Sequence, residues 1–484
     1  MANYNKVTPE IIEELKKISG DRVIVGADIN PDYARDEMPI YGTRMPDVSI
    51  DVLSTEEIAA IMKVCYENNI PVTARGAGTG LVGGCMPACG GVVLCTMRMK
   101  QILEYDFENL VVRVQPGVLL NDLAQDALTH GLMYCPDPGE KFATLGGNVS
   151  TNAGGMRAVK YGATRDYVRA MTVVLPTGEI VNFGATVSKT SSGYSLINLM
   201  IGSEGTLGII TELTLKLIPA PKCTASLVCP FEDLSVAISA VPKFKAAHMN
   251  PQALEFFEKE ILISSEEFLG KAVFPRVVDG TEVGAYLLVT FDANDQDELD
   301  RYIEQGAELV LENGALDVMV ADSPAKLKDA WAARSSFLEG IEEQVKLLDE
   351  CDVVVPVTKI PEFVIYCDEI AQDYDFVVKM FGHAGDGNLH IYTCSGSGDK
   401  SVDDAMPKDE FLAQVDKFMS RLYAKTVELG GQISGEHAIG FGKVKYLQEV
   451  EGPVKIRLMQ DIKKVFDPKM ILNPGKVCYT LDQI

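Results

Sequence analysis

Three of the five histidines lie in glycine-rich stretches near the end of the chain, and their spacing suits a metal ion. The segment Phe381-Gly382-His383-Ala384-Gly385-Asp386-Gly387-Asn388-Leu389-His390 carries two of them. Asp386-Gly387 is a strong two-residue hairpin signal. Closing the chain there sets His383 opposite His390, and directly opposed residues share one face with Cβ atoms about 4.5–5.5 Å apart. Two imidazoles can then converge on one ion. Gly435-Glu436-His437-Ala438 offers an acid and an imidazole side by side for the remaining position. Two His and one Glu leave coordination sites open and suit a single divalent ion such as Zn, Fe or Mn. Adjacent strand residues point to opposite faces. Glu436 and His437 can therefore serve one site only in a loop or turn, which the neighbouring glycines permit.

Three other segments are dense in glycine and small polar residues. Arg75-Gly76-Ala77-Gly78-Thr79-Gly80-Leu81-Val82-Gly83 satisfies G-x-G-x-x-G formally. A dinucleotide fingerprint of the Rossmann kind must also open a helix, and Cys85-Met86-Pro87-Ala88-Cys89-Gly90-Gly91 cannot start one. The glycines still let backbone amides approach a pyrophosphate. Thr144–Gly155 and Gly202–Ile209 repeat this texture. Each alone reads as tight turns; together they point to a dinucleotide.

The elements that must position these groups change character along the chain. Residues 8–19 predict an amphipathic helix and 46–53 a strand. Ser54 with Glu57 caps a helix running to about Asn69, and a strand over 71–74 feeds the first glycine loop. Many short strands follow between 90 and 220. Beyond Pro219-Ala-Pro221, helices at 232–247, 295–313 and 323–345 alternate with strands at 284–291, 352–357 and 376–382. That pattern suggests a smaller antiparallel sheet covered by helices. Residues 408–428 form a clear helix, with Phe411, Val415, Phe418 and Leu422 on one stripe. The expected division is 1–220, 221–435, and a segment 436–484 returning to the first.

Composition narrows the function. Sixty-nine acidic against 44 basic residues give a formal charge of −25. Such a chain repels nucleic acid and anionic membranes, so any anion site must concentrate positive charge locally. No run of about 18 apolar residues exists to span a membrane, and the start lacks a signal-peptide pattern. Eleven scattered cysteines read as free thiols, which fits a cytoplasmic setting.

The motifs RGAGTGLVGG, PGEKFATLGGNVSTNAGG, Arg165-Asp166 and GSEGTLGIITE resemble the FAD-linked oxidase family. That family includes D-lactate dehydrogenases, the glycolate oxidase flavoprotein subunit and D-2-hydroxyglutarate dehydrogenase. The resemblance covers about residues 40–478. It implies an α+β protein: a vanillyl-alcohol-oxidase (PCMH-type) FAD-binding domain with an α/β cap for substrate. By the same resemblance, Gly76, Ala77, Gly78, Thr79 and Gly80 would hold the pyrophosphate, with Arg75 also among the cofactor-binding residues. Pro138, Thr144, Gly146, Gly147, Asn148, Ser150, Gly154, Gly205, Ile209 and Asn473 would line the rest of the cofactor. Members with covalent flavin usually carry a His in the first loop, and this loop has none, so FAD should be bound non-covalently.

The later H-x-G-D-G-N-x-H run, followed by E-H, is similar to the metal and catalytic motif of the D-2-hydroxyacid dehydrogenases. Carried over, His383, His390 and Glu436 ligate the ion and His437 is the base. Arg334 matches a helical arginine that holds the substrate carboxylate in its planar fork. Two departures stand out. Glu350 replaces a Lys of 2-hydroxyglutarate-type members, and Tyr392 stands where some members have Asn. Both remove contacts suited to a second carboxylate, which favours a small monocarboxylate such as D-lactate or glycolate. The expected reaction is oxidation to the 2-oxo acid. The chain has no Rossmann unit for NAD and no C-x-x-C-x-x-C run for an iron–sulfur cluster. Electrons would then leave to a separate protein, an electron-transferring flavoprotein or an iron–sulfur subunit. The competing expectations are an oxidase that uses O₂, a non-catalytic electron-transfer subunit, and an enzyme of sugars or phenols on the same fold. The last two leave the metal motif unexplained.

Overall fold

A computed structural model describes residues 4–396 and 404–484. The chain forms two compact units: Met1–Gly154 with Ala163–Ala220 and Glu436–Ile484, and Gly155–Gly162 with Pro221–Gly435.

In the first unit the opening helix is Pro9–Ser19, capped by the Thr8 side chain. The second is Thr55–Glu67, where Ser54 Oγ accepts from Glu57 N and Glu57 reaches back to Leu53 N at 2.7 Å. These bonds satisfy amides that a helix start leaves orphaned. The helix buries Ile58, Ile61, Met62 and Cys65 against a four-stranded sheet in the order Val23–Val25, Val48–Asp51, Val92–Cys95, Val72–Arg75. The last three strands run parallel, as a helical crossover requires. Residues 76–91 contain no helix, in agreement with the rejection of a Rossmann unit. A five-stranded antiparallel sheet follows, in the order Ile102–Asp106, Val111–Val114, Ile209–Lys216, Val168–Val174, Ile180–Gly184. The strand-rich reading of 90–220 overlooked the helix Leu120–Thr129, although Leu120, Leu123 and Ala127 give its buried stripe.

The second unit is built on seven strands in the order Met319–Ala321, Cys223–Phe231, Ala285–Ala293, Ala253–Glu258, Val377–His383, Asn388–Ser395, Leu347–Val354. Every pairing is antiparallel. The expectation of a smaller sheet is therefore corrected: among the described residues this is the largest. The single helix expected over 323–345 is two, Pro324–Ser335 and Phe337–Gln344. Ser265 Oγ donates to Ala333 O at 2.5 Å, the carbonyl that a continuous helix would offer to residue 337. The strand expected at 352–357 begins earlier, at Leu347, and stops before Pro356, which lacks the N–H a ladder needs. The helix Lys408–Glu428 buries Phe411, Val415, Phe418 and Leu422 as expected.

Candidate active site

The three glycine-rich segments meet inside the first unit. A Cβ on Gly76 would overlap Thr144 Oγ1, and that hydroxyl accepts from Gly147 N at 3.2 Å to cap the short helix Leu145–Thr151. The helix is joined to the third segment by Gly202 N→Val149 O (3.0 Å) and Glu204 N→Ser150 O (2.8 Å). Asn473 ties the far side, donating through Nδ2 to Gly84 O and Glu204 O at 3.0 and 2.8 Å. Lys476 Nζ lies beneath, bonded to Gly84 O and Met86 O at 2.8 and 2.6 Å. Burial pulls its pKa down to about 8 and pushes that of Asp36, which holds Gly84 N, up to about 6.

Two observations bear on how a flavin dinucleotide would fit. Gly76, Gly146 and Gly205 lie where side chains would collide or strain: Gly146 would meet Pro116, and Gly205 has φ +65°. The Asn148 Nδ2 atom is buried without a hydrogen-bond partner, and a buried amide of that kind calls for an acceptor. Ser150 Oγ, by contrast, is used by Gly146 O at 2.7 Å. The Arg75 guanidinium is largely spent within the protein, on Arg35 O (2.6 Å) of an earlier segment and Cys85 Sγ (3.0 Å) of its own loop.

Glu436 and His437 stand in a turn, as their joint use requires. Glu436 Oε1 and His437 Nε2 are 3.8 Å apart. A Cβ on Gly154 would come within 2.7 Å of Glu436 Oε2, so the second glycine segment leaves room for that carboxylate. The turn is fastened by Glu204, whose two oxygens accept from Ile439 N and Gly440 N at 2.9 and 2.7 Å. Sequence reasoning missed this role. Burial pushes Glu204 up to about 7, against the pull of the two amides and of Lys476 and Lys443.

In the second unit the hairpin differs in register from the expectation. His383 pairs with Asn388, and Phe381 with His390. The connection is four residues, 384–387, rather than two. A Cβ on Gly385 would press within 2.6 Å of Val159, and Gly387 with φ +91° abuts Val355 O, so the turn is shaped by its surroundings. The slip is of even length, and side chains alternate with period two. Both histidines therefore keep to one face as diagonal neighbours, with ring centroids 5.1 Å apart and planes nearly perpendicular.

That face gathers charge that is legible only in three dimensions. Glu255, an acid in the apolar strand Ala253–Glu258, is fully buried. Its carboxylate accepts from His383 Nδ1 at 2.8–2.9 Å and from Arg334 Nε at 2.9 Å, with Arg334 Nη2 at 2.7 Å. Burial would raise the Glu255 pKa, but the charges of His383 and Arg334 outweigh it and hold the carboxyl below its usual range. Arg334 lies over the rings of Phe337 and Phe381, at 5.2 and 4.9 Å from their centroids. His390 Nδ1 is 3.8 Å from Glu350 and 4.0 Å from Asp352. Asp352 in turn receives Asn388 Nδ2 (2.6 Å), Ser434 Oγ (2.8 Å) and Gly435 N (2.9 Å). The structure thus brings Arg334, His383 and His390 together on this unit, and carries Glu436 and His437 on the other. A histidine that gives its Nδ1 proton to a carboxylate presents Nε2 as a lone pair, the usual state of a metal ligand.

Parallel and antiparallel sheets with three convergent glycine segments define a flavoprotein fold of the p-cresol methylhydroxylase, or vanillyl-alcohol-oxidase, type. Two solved structures share it: p-cresol methylhydroxylase (TM-score 0.77, 16% identity, 100% of both chains) and 4-ethylphenol oxidase from Gulosibacter chungangensis (TM-score 0.75, 18% identity, 99% of both). The model of the FAD binding domain matches residues 46–184, and that of the FAD linked oxidases C-terminal domain matches 220–477. The chain belongs to the FAD-linked oxidase family. It is 63% identical over 478 residues to a D-lactate dehydrogenase of Anaerostipes hadrus, covering 99% of both chains. It is 39% identical to a D-lactate dehydrogenase of Archaeoglobus fulgidus (92% of this chain, 95% of the relative). It is 37% identical to glycolate oxidase subunit GlcD of Bacillus subtilis (97% of both). Among the described residues no helix is long and apolar enough to cross a membrane.

Proposed function

We propose that this flavoprotein oxidises a small D-2-hydroxy acid, D-lactate or glycolate in preference to diacids, to the 2-oxo acid. The observation that carries the reading is the buried Arg334–Glu255–His383 array beside His390. The relative named D-lactate dehydrogenase, at 63% identity, supports the same substrate class. FAD, held non-covalently, supplies the two-electron acceptor that no side chain provides. His383, His390 and Glu436 are the proposed ligands of one divalent ion, which would lower the pKa of the substrate hydroxyl. The buried acids Glu350 and Asp352 favour a cation there.

Arg334 recognises the substrate carboxylate. Glu255 engages the Nε–Nη2 edge and leaves Nη1 to a ligand. His437 takes the hydroxyl proton, and Glu204 holds the turn on which it stands. Glu350, paired across the sheet with Tyr392, would repel a second carboxylate on the substrate. Electrons pass on to a protein partner, an electron-transferring flavoprotein or an iron–sulfur subunit. A panel of D- and L-hydroxy acids with an artificial dye, with and without chelator, tests the reading. D-Lactate turnover lost on chelation and restored by a divalent ion is the expected result. Equal rates on L-lactate, or indifference to chelator, would refute it. In the same assay His390→Ala should lose both metal and turnover, while His437→Ala keeps the metal and loses turnover.

A further inference from the structure

We infer that Glu255 is a positioning residue that couples metal binding to carboxylate recognition, an inference that rests on the proposed roles of His383 and Arg334. One fully buried carboxylate serves both groups. Its Oε2 atom receives Arg334 Nε at 2.9 Å and stands 2.7 Å from Nη2, so the guanidinium is gripped along one edge. Both oxygens lie within 2.9 Å of His383 Nδ1.

Each contact has a separate consequence. The imidazole is fixed as the Nδ1–H tautomer, which turns Nε2 into the electron-pair donor and orients its ring. Second-shell carboxylates of this kind raise ligand basicity, and losing one costs about 10–100-fold in metal affinity. The guanidinium, clamped between Glu255 and the rings of Phe337 and Phe381, loses its freedom to turn. Its remaining edge is thereby aimed before substrate arrives, and preorganisation of this sort improves binding by cutting the ordering cost. Glu255 also neutralises Arg334. An isolated guanidinium at this depth would otherwise repel a cation bound through His383. No apolar or neutral side chain on the strand could do the three tasks together.

Glu255→Gln tests the inference on the FAD-loaded enzyme. The amide can still accept from His383, but its NH₂ group confronts Arg334 where a carboxylate oxygen stood. Three quantities are read: metal dissociation constant by competition with a chromogenic chelator, KM and kcat for D-lactate at saturating metal, and bound flavin by absorbance. The expected result is a metal dissociation constant raised roughly 10–100-fold, KM raised about tenfold or more, kcat falling less than KM rises, and flavin content unchanged. Glu255→Asp keeps the charge and loses reach. It should recover part of both metal affinity and KM, and it serves as the readout if the Gln variant fails to fold. His383→Ala separates the two claims. If that variant keeps wild-type metal affinity, the ligand assignment itself fails. If it loses the metal while both Glu255 variants retain wild-type metal affinity and KM, the coupling role is overturned and the ligand assignment stands.

Discussion

Asp352 is an acid whose loss should destabilise the second unit. It is fully buried. Its two oxygens accept from Asn388 Nδ2, Ser434 Oγ and Gly435 N at 2.6–2.9 Å. It thus joins the strand bearing His390 to the segment that runs into Glu436 and His437. Asp352→Ala leaves the buried Asn388 Nδ2 with Val353 O alone, at 2.8 Å, and takes the acceptor from two part-buried donors, Ser434 Oγ and Gly435 N. Hydrogen bonds to a charged group contribute about 1.5–3 kcal/mol each, but bonds to one acceptor do not add. A loss of about 3–5 kcal/mol is the reasonable total for the set. For a domain of some 200 residues each kcal/mol moves Tm by about 2–4 °C, so the transition of this unit should fall by about 6–20 °C. Because His390 lies 4.0 Å from Asp352, wild type and variant are compared by calorimetry in chelator, so that metal binding does not enter. Asp352→Asn retains one acceptor and should fall less. An Asp352→Ala transition within about 2 °C of wild type would refute the reasoning, since a buried carboxylate meeting three donors cannot then be holding the segment.

Two further outcomes follow from the flavin unit. Gly76→Val places a branched side chain against Thr144 Oγ1 and should sharply reduce FAD content, read as the flavin-to-protein absorbance ratio; full occupancy would show that the close approach of these two segments is not needed for the cofactor. Glu204, raised to about 7 by burial, binds a proton in the folded state that it would release when unfolded between the ordinary carboxylate range and that value. Its contribution is whole at low pH and is lost as pH rises through about 7. The FAD-loaded wild type should therefore lose more stability than Glu204→Gln between about pH 5 and about pH 8. Parallel melting curves across that range would contradict the assignment.

Much of the local structure was legible in one dimension because it depends on residue type and short spacing. A capped helix at 54–67 needs only Ser54, Glu57 and an apolar stripe, and these sufficed. The glycine segments announced close backbone approach, and the residues after Gly84 excluded a helix. The histidine pair stayed on one face despite a wrong register, because strand side chains alternate and an even slip leaves the face unchanged. The register itself was decided elsewhere: Val159 and Val355, distant in sequence, crowd the turn at Gly385 and Gly387. The ionic partners were equally hidden. Glu255 meets Arg334 across 79 residues and His383 across 128, and Glu204 reaches Ile439 across 235. No local pattern encodes such a meeting. A lone acid in an apolar strand signals that some cation or donor must answer it, and only the packing of the sheet under its helices decides which one does.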